Sequence, residues 1–124
     1  MLVNEHLTEE ILRCAYKVHS KLGPGLLESA YQACLKYELM KTGIEVRSEV
    51  PVSLVYEEIK LDCGYRIDLL VESKVILELK TVEKLTTVHE AQVLTYMKFA
   101  EVKVGLLLNF NTKSLKYGIK RFVL

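Results

Sequence analysis

The segment that decides the fold is RIDLLVESKVILELKTV, which runs from Arg66 to Val82. Most of its residues are apolar, as in strands that are buried in a sheet. Asp68, Glu78 and Lys80 interrupt the apolar pattern. Charged side chains are rarely buried unless they are paired or bind an ion. These three residues are therefore the first candidates for a functional site.

A hairpin turn at Ser73 explains where the charges fall. Centring the turn there places Asp68 opposite Glu78 on the neighbouring strand. Side chains alternate along a strand, so Lys80 shares a face with Glu78 and the three charges converge on one patch. The other face is predicted to carry Ile67, Leu69, Val71, Val75, Leu77 and Leu79.

Two opposed carboxylates repel each other, at a cost of up to about 1 kcal/mol on an open sheet and more when they are buried. A divalent cation turns this repulsion into binding, because hard cations such as Mg²⁺ prefer carboxylate and carbonyl oxygens. Lys80 beside such an ion would orient a water or neutralise charge on a phosphate. The alternative is a solvated sheet face with a Lys–Glu pair, since the spacing of the three charges is a weak signal by itself.

Two predicted helices add polar groups beside the sheet. The segment GPGLLESAYQ places Glu28 and Tyr31 on one helical face. The segment HEAQVLTYM places His89, Gln92 and Tyr96 on one stripe at spacings of three and four residues. Each group alone is typical of surface or core-edge polarity, but together they flank the carboxylates from two helices.

The patterns along the chain predict the order α-α-β-β-β-α-β-β. Thr8 is the expected cap of the first helix, the second is expected from Leu26 to Lys41, and Thr86 or Thr87 is expected to cap the third. The expected strand segments are IEVRSEVPVSLVY, IKLDCGYRIDLLVE, KVILELK, VKVGLLLNF and LKYGIKRFVL. This order predicts an α/β (α+β) fold with a mixed central sheet flanked by helices, in one domain over residues 1–124.

The composition predicts a cytoplasmic protein with no membrane segment, since we find neither a signal-peptide pattern nor a long apolar run. Cys14, Cys34 and Cys63 are widely spaced and are expected to be free thiols. The net charge is +1, but residues 1–72 carry 8 Lys/Arg against 12 Asp/Glu, and residues 73–124 carry 9 against 4. The basic second part is compatible with a polyanionic partner, and scattered solvated lysines are the alternative.

The combination of motifs resembles the GxxExxY proteins, a family within the PD-(D/E)XK nuclease-like superfamily. The naming motif is GLLESAY, from Gly25 to Tyr31. VHSKLGPG, YRIDLLVE, ILELK, HEAQVLTYM, VGLLLNF and IKRFV also match in order and spacing, so that the resemblance extends from about Leu12 to Val123. It implies a restriction-endonuclease-like core.

The resemblance also implies roles for the charged residues. Asp68 and Glu78 would bind Mg²⁺ or Mn²⁺ with the backbone carbonyl of Leu79, and Lys80 would act on the attacking water. Glu28 would complete or support the metal shell. The remaining matched positions are Gln92, which often supports such sites, and His19, Tyr31, Arg66, His89 and Tyr96, which would support the site or contact substrate.

Two positions depart from the family pattern. Ile67-Asp68 stands where the superfamily name has Pro-Asp, which is a common variation. The turn from Tyr56 to Ile59 reads YEEI and lacks the expected glycine. Neither departure touches the implied metal ligands.

Two functions follow as hypotheses. The first is a magnesium-dependent nuclease, with DNA as the favoured substrate and with backbone contacts from Lys113, Lys116, Lys120 and Arg121. The second is a non-catalytic module that binds nucleic acid or a protein through the same face, which the near-neutral total charge favours. A homodimer would enlarge the binding surface in either case. A Schiff-base role for Lys80 needs an apolar, cation-rich setting, which two nearby carboxylates do not provide.

Overall fold

The computed structural model describes residues 4–124. The helices are α1 (Glu5–Leu22), α2 (Glu28–Lys41) and α3 (Thr87–Ala100), with a short 3-10 helix at Leu115–Gly118. The strands are β1 (Val46–Pro51), β2 (Leu54–Tyr56), β3 (Ile59–Leu61), β4 (Arg66–Val71), β5 (Val75–Lys80), β6 (Val104–Asn109) and β7 (Ile119–Val123). Within this described part, no helix is long and apolar enough to cross a membrane.

The central sheet has five strands in the order β1-β4-β5-β6-β7. β5 and β6 are parallel, and the other neighbouring pairs are antiparallel. α3 makes the crossover that a parallel pair requires. This is the predicted mixed sheet, with its helices and strands in the predicted order. The structure adds one detail, because each of the first two predicted strand segments contains two strands. The end of the first segment (β2) and the start of the second (β3) form a separate hairpin.

The turn between β4 and β5 has the predicted register. Val71 pairs with Val75, and the carbonyl of Val71 accepts the N–H of Lys74 at 2.9 Å. Five of the six apolar residues predicted for one face pack in a single buried cluster: Leu69, Val71, Val75, Leu77 and Leu79. The prediction for Ile67 is wrong, because this residue packs in the cluster on the opposite face. Asp68 interrupts the regular pairing of β4, because it is skipped in the register with β1 and lies beyond the register with β5, while Ile67 pairs with Val50 of β1.

Both faces of the sheet are covered, which explains the continuous apolar runs in its central strands. α1 and α2 cover one face through residues such as Ile11 and Leu35. α3 covers the other face through Val93 and Met97. Gly105 on β6 permits this close approach, since a Cβ there would lie 2.7 Å from Met97 Sδ.

The helix ends differ in detail from the prediction. Thr8 does not cap α1, because the helix begins one turn earlier at Glu5 with Asn4 as N-cap; the Thr8 hydroxyl instead donates to the carbonyl of Asn4 at 2.8 Å. α2 begins at Glu28, two residues after the predicted start. The predicted cap of α3 at Thr86 is confirmed.

The β2–β3 hairpin forms without a glycine in its turn. Tyr56 pairs with Ile59, which leaves Glu57 and Glu58 as the turn residues. Glu57 takes a φ of 53°, in the left-handed region that glycine usually occupies. The missing glycine therefore does not prevent the turn, although a non-glycine residue carries a conformational cost there.

Candidate active site

Asp68 and Glu78 lie side by side where the paired register of β4 and β5 ends. The backbone N–H of Asp68 donates to Glu78 Oε2 at 2.8 Å. The backbone N–H of Leu79 donates to Asp68 Oδ2 at 2.8 Å. Each carboxylate therefore accepts a hydrogen bond from a backbone N–H of the opposite strand. In a regular sheet a backbone carbonyl would accept this bond. These two bonds fix the orientation of both side chains.

The environment of the pair disfavours two negative charges. Glu78 is only 3% exposed. Its pKa is raised to about 8, first by burial and then by the charge of Asp68. Burial also raises the pKa of Asp68, although the hydrogen bond from Leu79 opposes the shift. Burial and mutual repulsion thus both disfavour the charged forms of this pair.

Lys80 follows Glu78 on β5 and connects the carboxylates to α3. Its ammonium donates to Gln92 Oε1 at 3.2 Å, and Gln92 Nε2 donates to the Tyr96 hydroxyl at 3.2 Å. Burial raises the pKa of both Asp68 and Glu78, and the charge of the Lys80 ammonium opposes this rise, so it acts electrostatically on the two carboxylates. The structure thus brings together Lys80, Gln92 and Tyr96 beside the carboxylate pair.

The charge of Glu78 also acts on Tyr96. Its pKa is raised by burial and then by the charge of Glu78. The tyrosine is buried, and its hydroxyl accepts the hydrogen bond from Gln92. This side chain therefore closes the site on the α3 side.

Glu28 lies at the edge of the site, as the first residue of α2. Its pKa is raised by burial and then by the charge of Asp68. In the part of the chain from residue 4 onward, however, no three His, Cys, Asp or Glu side chains form a group that could hold a metal ion. The structure does not bring Glu28 into one ligand set with Asp68 and Glu78.

Tyr31 supports the loop that leads into Glu28. The ring is fully buried and stacks on Phe110 at a centroid distance of 4.7 Å. Its hydroxyl donates to the carbonyl of Gly23 and accepts the N–H of Leu26 at 3.1 Å. The tyrosine of the motif therefore fixes the loop that precedes the glutamate of the motif.

Three other predicted residues have structural partners elsewhere. His19 is buried, with Nε2 2.7 Å from the carbonyl of Thr112. His89 belongs to the α3 capping box, where its Nδ1 accepts the N–H of Thr86 at 3.0 Å. Arg66 donates to the carbonyl of Tyr65 at 3.1 Å. Sequence spacing placed these residues near the motifs, and the structure gives them local roles in loops and caps.

The predicted nucleic-acid contacts lie on β7 and on the segment before it, with β6 between β7 and β5. Lys113 is exposed, and the Lys116 ammonium lies 5.0 Å from the centroid of the Tyr117 ring. Lys120 forms an ion pair with Glu90 at 2.6 Å, which offsets part of its charge. Arg121 is partly exposed on the edge strand.

Two residues of the site had not been predicted. Gln32 Nε2 donates to Glu49 Oε2 at 2.8 Å and lies 3.3 Å from the carbonyl of Asp68. With Glu28, these residues line an open cleft of about 600 Å³ beside Asp68. The only sequence feature that could have indicated Gln32 is its position directly after Tyr31 of the motif. Its partners, Glu49 and Asp68, are distant in sequence.

The donor set fits a hard divalent cation. Mg²⁺ usually binds proteins through one or two carboxylates and keeps several waters, so it needs no cage of protein ligands. Asp68 and Glu78 supply two fixed carboxylates with like charge in a buried setting. The carbonyl of Leu79 is the third oxygen that the sequence resemblance implies.

Comparison with protein families agrees with this fold. The sequence model of the PD-(D/E)XK nuclease superfamily matches residues 5–122. The chain therefore belongs to the PD-(D/E)XK nuclease superfamily, whose nucleases generally use divalent metals. Its five-stranded mixed sheet with flanking helices is consistent with the restriction-endonuclease-like fold. Comparison with curated proteins and with solved structures gave no match.

Proposed function

We propose that this chain is a nuclease of the GxxExxY type that hydrolyses phosphodiester bonds with the help of Mg²⁺ or Mn²⁺, and that DNA is its favoured substrate. The observation that carries the proposal is the interlocked pair of Asp68 and Glu78, with the ammonium of Lys80 beside it. Two ionised carboxylates that are buried side by side destabilise the protein, and a bound cation would compensate their charge.

Asp68 and Glu78 would hold the ion, with the carbonyl of Leu79 as an additional ligand. When bound, the ion polarises the scissile phosphate and lowers the pKa of a water. Lys80 orients the attacking water or neutralises charge that develops on the phosphate, and Gln92 holds the ammonium in place. Glu28 would support the site from its edge without joining the two carboxylates in one ligand set.

The basic residues of the second part of the chain would contact the nucleic-acid backbone. These contacts position the substrate without reading its sequence. Lys113 and Lys116 are exposed and suited to this role. Lys120 would first have to leave its ion pair with Glu90. His19, Arg66 and His89 would act indirectly, through the loops and caps that they stabilise.

A second candidate is a non-catalytic module that binds nucleic acid or a protein. Two observations favour it. In the described residues, no group of three ligating side chains forms. The net charge is only +1, and strong binding to a duplex usually needs several phosphate contacts. A homodimer would supply more contacts in either case.

The test is cleavage of mixed DNA and RNA substrates by purified protein, with and without Mg²⁺ or Mn²⁺. We expect cleavage that depends on metal and disappears in Asp68→Ala. A matched control is Glu83→Ala, because Glu83 is exposed and lies in the loop between β5 and α3. Clear metal binding without cleavage of any substrate would favour the non-catalytic module.

A further inference from the structure

A second cleft, of about 250 Å³, lies along α3. Leu54, Tyr65 and Val88 contribute apolar and aromatic surface, and all seven lining residues are uncharged. This is unusual for a chain in which 27% of the residues are charged. An uncharged lining suits a neutral group and offers nothing to neutralise a phosphate.

The cleft shares two side chains with the candidate active site. Gln92 and Tyr96 line it, and the same Gln92 accepts the hydrogen bond from Lys80. The rings of Tyr96 and Tyr65 meet edge to face, with centroids 6.3 Å apart. A group in this cleft would therefore lie one side chain away from the ammonium of Lys80.

The walls of the cleft leave apolar surface uncovered. Val88 is 74% exposed and Tyr65 is 41% exposed. The exposed surface continues along the β2–β3 hairpin, which begins at Leu54 in the cleft wall. Aromatic rings at the border of a nucleic-acid site are suited to stacking on bases, which all have a flat π-face.

We propose that this cleft binds an unpaired nucleobase next to the scissile phosphate, so that the substrate is single-stranded or locally melted nucleic acid. The inference rests on the proposed nuclease function. The cleft is smaller than the ~300–1,000 Å³ typical of sites for drug-sized ligands, which suits a single base. In a duplex the bases are stacked and paired, so a base can enter only from a single strand or after it leaves the stack.

The test is equilibrium binding of a fluorescein-labelled oligo(dT) and of its duplex with oligo(dA). A length of about ten nucleotides lies within the usual site size of proteins that bind single strands. A chelator keeps the protein metal-free, so that the measurement does not depend on cleavage. The variants are Tyr65→Ala and Tyr65→Phe. Tyr16→Ala is the matched control, because Tyr16 on α1 is 40% exposed.

We expect the single strand to bind more tightly than the duplex. Tyr65→Ala should weaken single-strand binding by about five- to a hundredfold, as the loss of one stacked base predicts. Tyr65→Phe should keep most of the affinity, and Tyr16→Ala should bind like the wild type. Unchanged single-strand affinity in Tyr65→Ala would overturn the proposal, as would tighter binding of the duplex.

Sedimentation of the same variants separates a protein partner from a nucleobase. If the wild type is a dimer that Tyr65→Ala dissociates without any change in nucleic-acid affinity, the cleft is an interface between two copies and the proposal is wrong. Cleavage assays separate this inference from the nuclease function. Binding that depends on Tyr65, without cleavage, would contradict only the nuclease function. Cleavage that is equal for single strands and duplexes and unchanged in Tyr65→Ala would contradict only the nucleobase site.

Discussion

The backbone N–H of Asp68 donates to the carboxylate of Glu78 at 2.8 Å, so the two acidic residues of the site are held by each other's strands. The arrangement keeps two carboxyl groups together in a buried place through backbone hydrogen bonds. Removing one carboxylate therefore changes the electrostatics and the hydrogen bonding of the other. Several measurable properties depend on this coupling.

The first prediction concerns stability and pH. The pKa of Glu78 is raised in the folded state from its ordinary 4.5 to about 8. Between these pH values the folded protein holds a proton that the unfolded chain releases. The stabilisation is thus fully present below about pH 4.5 and is lost as the pH rises through about 8. Metal-free protein should become less stable over this interval.

Glu78→Gln should remove this pH dependence, because the amide carries no charge and still offers an oxygen to Asp68. We expect the variant to be more stable than the wild type above about pH 8, by on the order of 1–3 kcal/mol. Urea unfolding in a chelator checks this, with exposed Glu83→Gln as control. A variant that keeps the wild-type pH slope would show that Glu78 does not carry the effect.

The second prediction separates Lys80 from the carboxylates. Lys80→Ala should spare Mg²⁺ binding, or strengthen it by removing a nearby positive charge. It should still lower cleavage by orders of magnitude, since a positioned charge in such a site contributes on the order of 3–4 kcal/mol. Asp68→Ala should lose metal binding and cleavage together.

The control for Lys80 is Lys84→Ala, because Lys84 is exposed and lies beyond the end of β5. Kinetics and metal titration on the same preparations provide the comparison. Cleavage that persists unchanged in Lys80→Ala would point to a contaminating nuclease or to a different site.

The third prediction concerns the tyrosine of the GLLESAY motif. Tyr31→Phe removes the hydroxyl that joins Gly23 to Leu26, and should destabilise the protein by about 1–2 kcal/mol. Cleavage should fall because the loop no longer orients Glu28, whereas metal affinity should change little. Thermal unfolding and cleavage rates check both effects, with exposed Tyr37→Phe on the same helix as control. Equal losses of stability and of cleavage rate in both variants would contradict a specific role of the Tyr31 hydroxyl.

The fourth prediction tests the packing of α3 on the sheet. An alanine at Gly105 would place its Cβ 2.7 Å from Met97 Sδ and 2.8 Å from Val93 Cγ1. Forcing one extra carbon into a packed core typically costs about 1–3 kcal/mol. We expect Gly105→Ala to lower the unfolding midpoint by a corresponding amount. A midpoint equal to that of the wild type would mean that α3 does not approach β6 this closely.

Sequence reasoning predicted the central sheet and the proximity of Asp68, Glu78 and Lys80 because both depend on local rules. Alternation along a strand put Glu78 and Lys80 on one face, and the turn at Ser73 aligned them with Asp68. Helical spacing put Gln92 on the same stripe as Tyr96, and these side chains are hydrogen-bonded in the structure. The superfamily match agrees with the predicted fold class.

The remaining features depend on contacts between distant segments. Gln32 and Glu49 meet Asp68 only because α2 packs beside β1 and β4, and no local pattern marks that contact. Ile67 changes face because the regular strand pairing is interrupted at Asp68. The resemblance implied that His19 and His89 support the site or contact substrate, and no local pattern predicted that their partners are a loop carbonyl and a helix cap. Composition and spacing do not distinguish such structural roles from chemical ones.

The central claim is that Asp68 and Glu78 bind a divalent cation, and calorimetric titration with Mg²⁺ and Mn²⁺ tests it most directly. The pKa of Glu78 near 8 means that its carboxyl holds a proton at neutral pH in the metal-free protein. Binding must release that proton, so affinity should rise with pH until about 8. Titrations in buffers of different ionisation enthalpy count the released proton.

The account predicts one bound ion per chain, release of about one proton near neutral pH, and loss of binding in both Asp68→Asn and Glu78→Gln. Exposed Glu83→Gln should bind like the wild type. Wild-type protein that binds neither ion at any pH up to about 9, above the pKa of Glu78, would contradict the claim. Binding that survives in both site variants would contradict it equally.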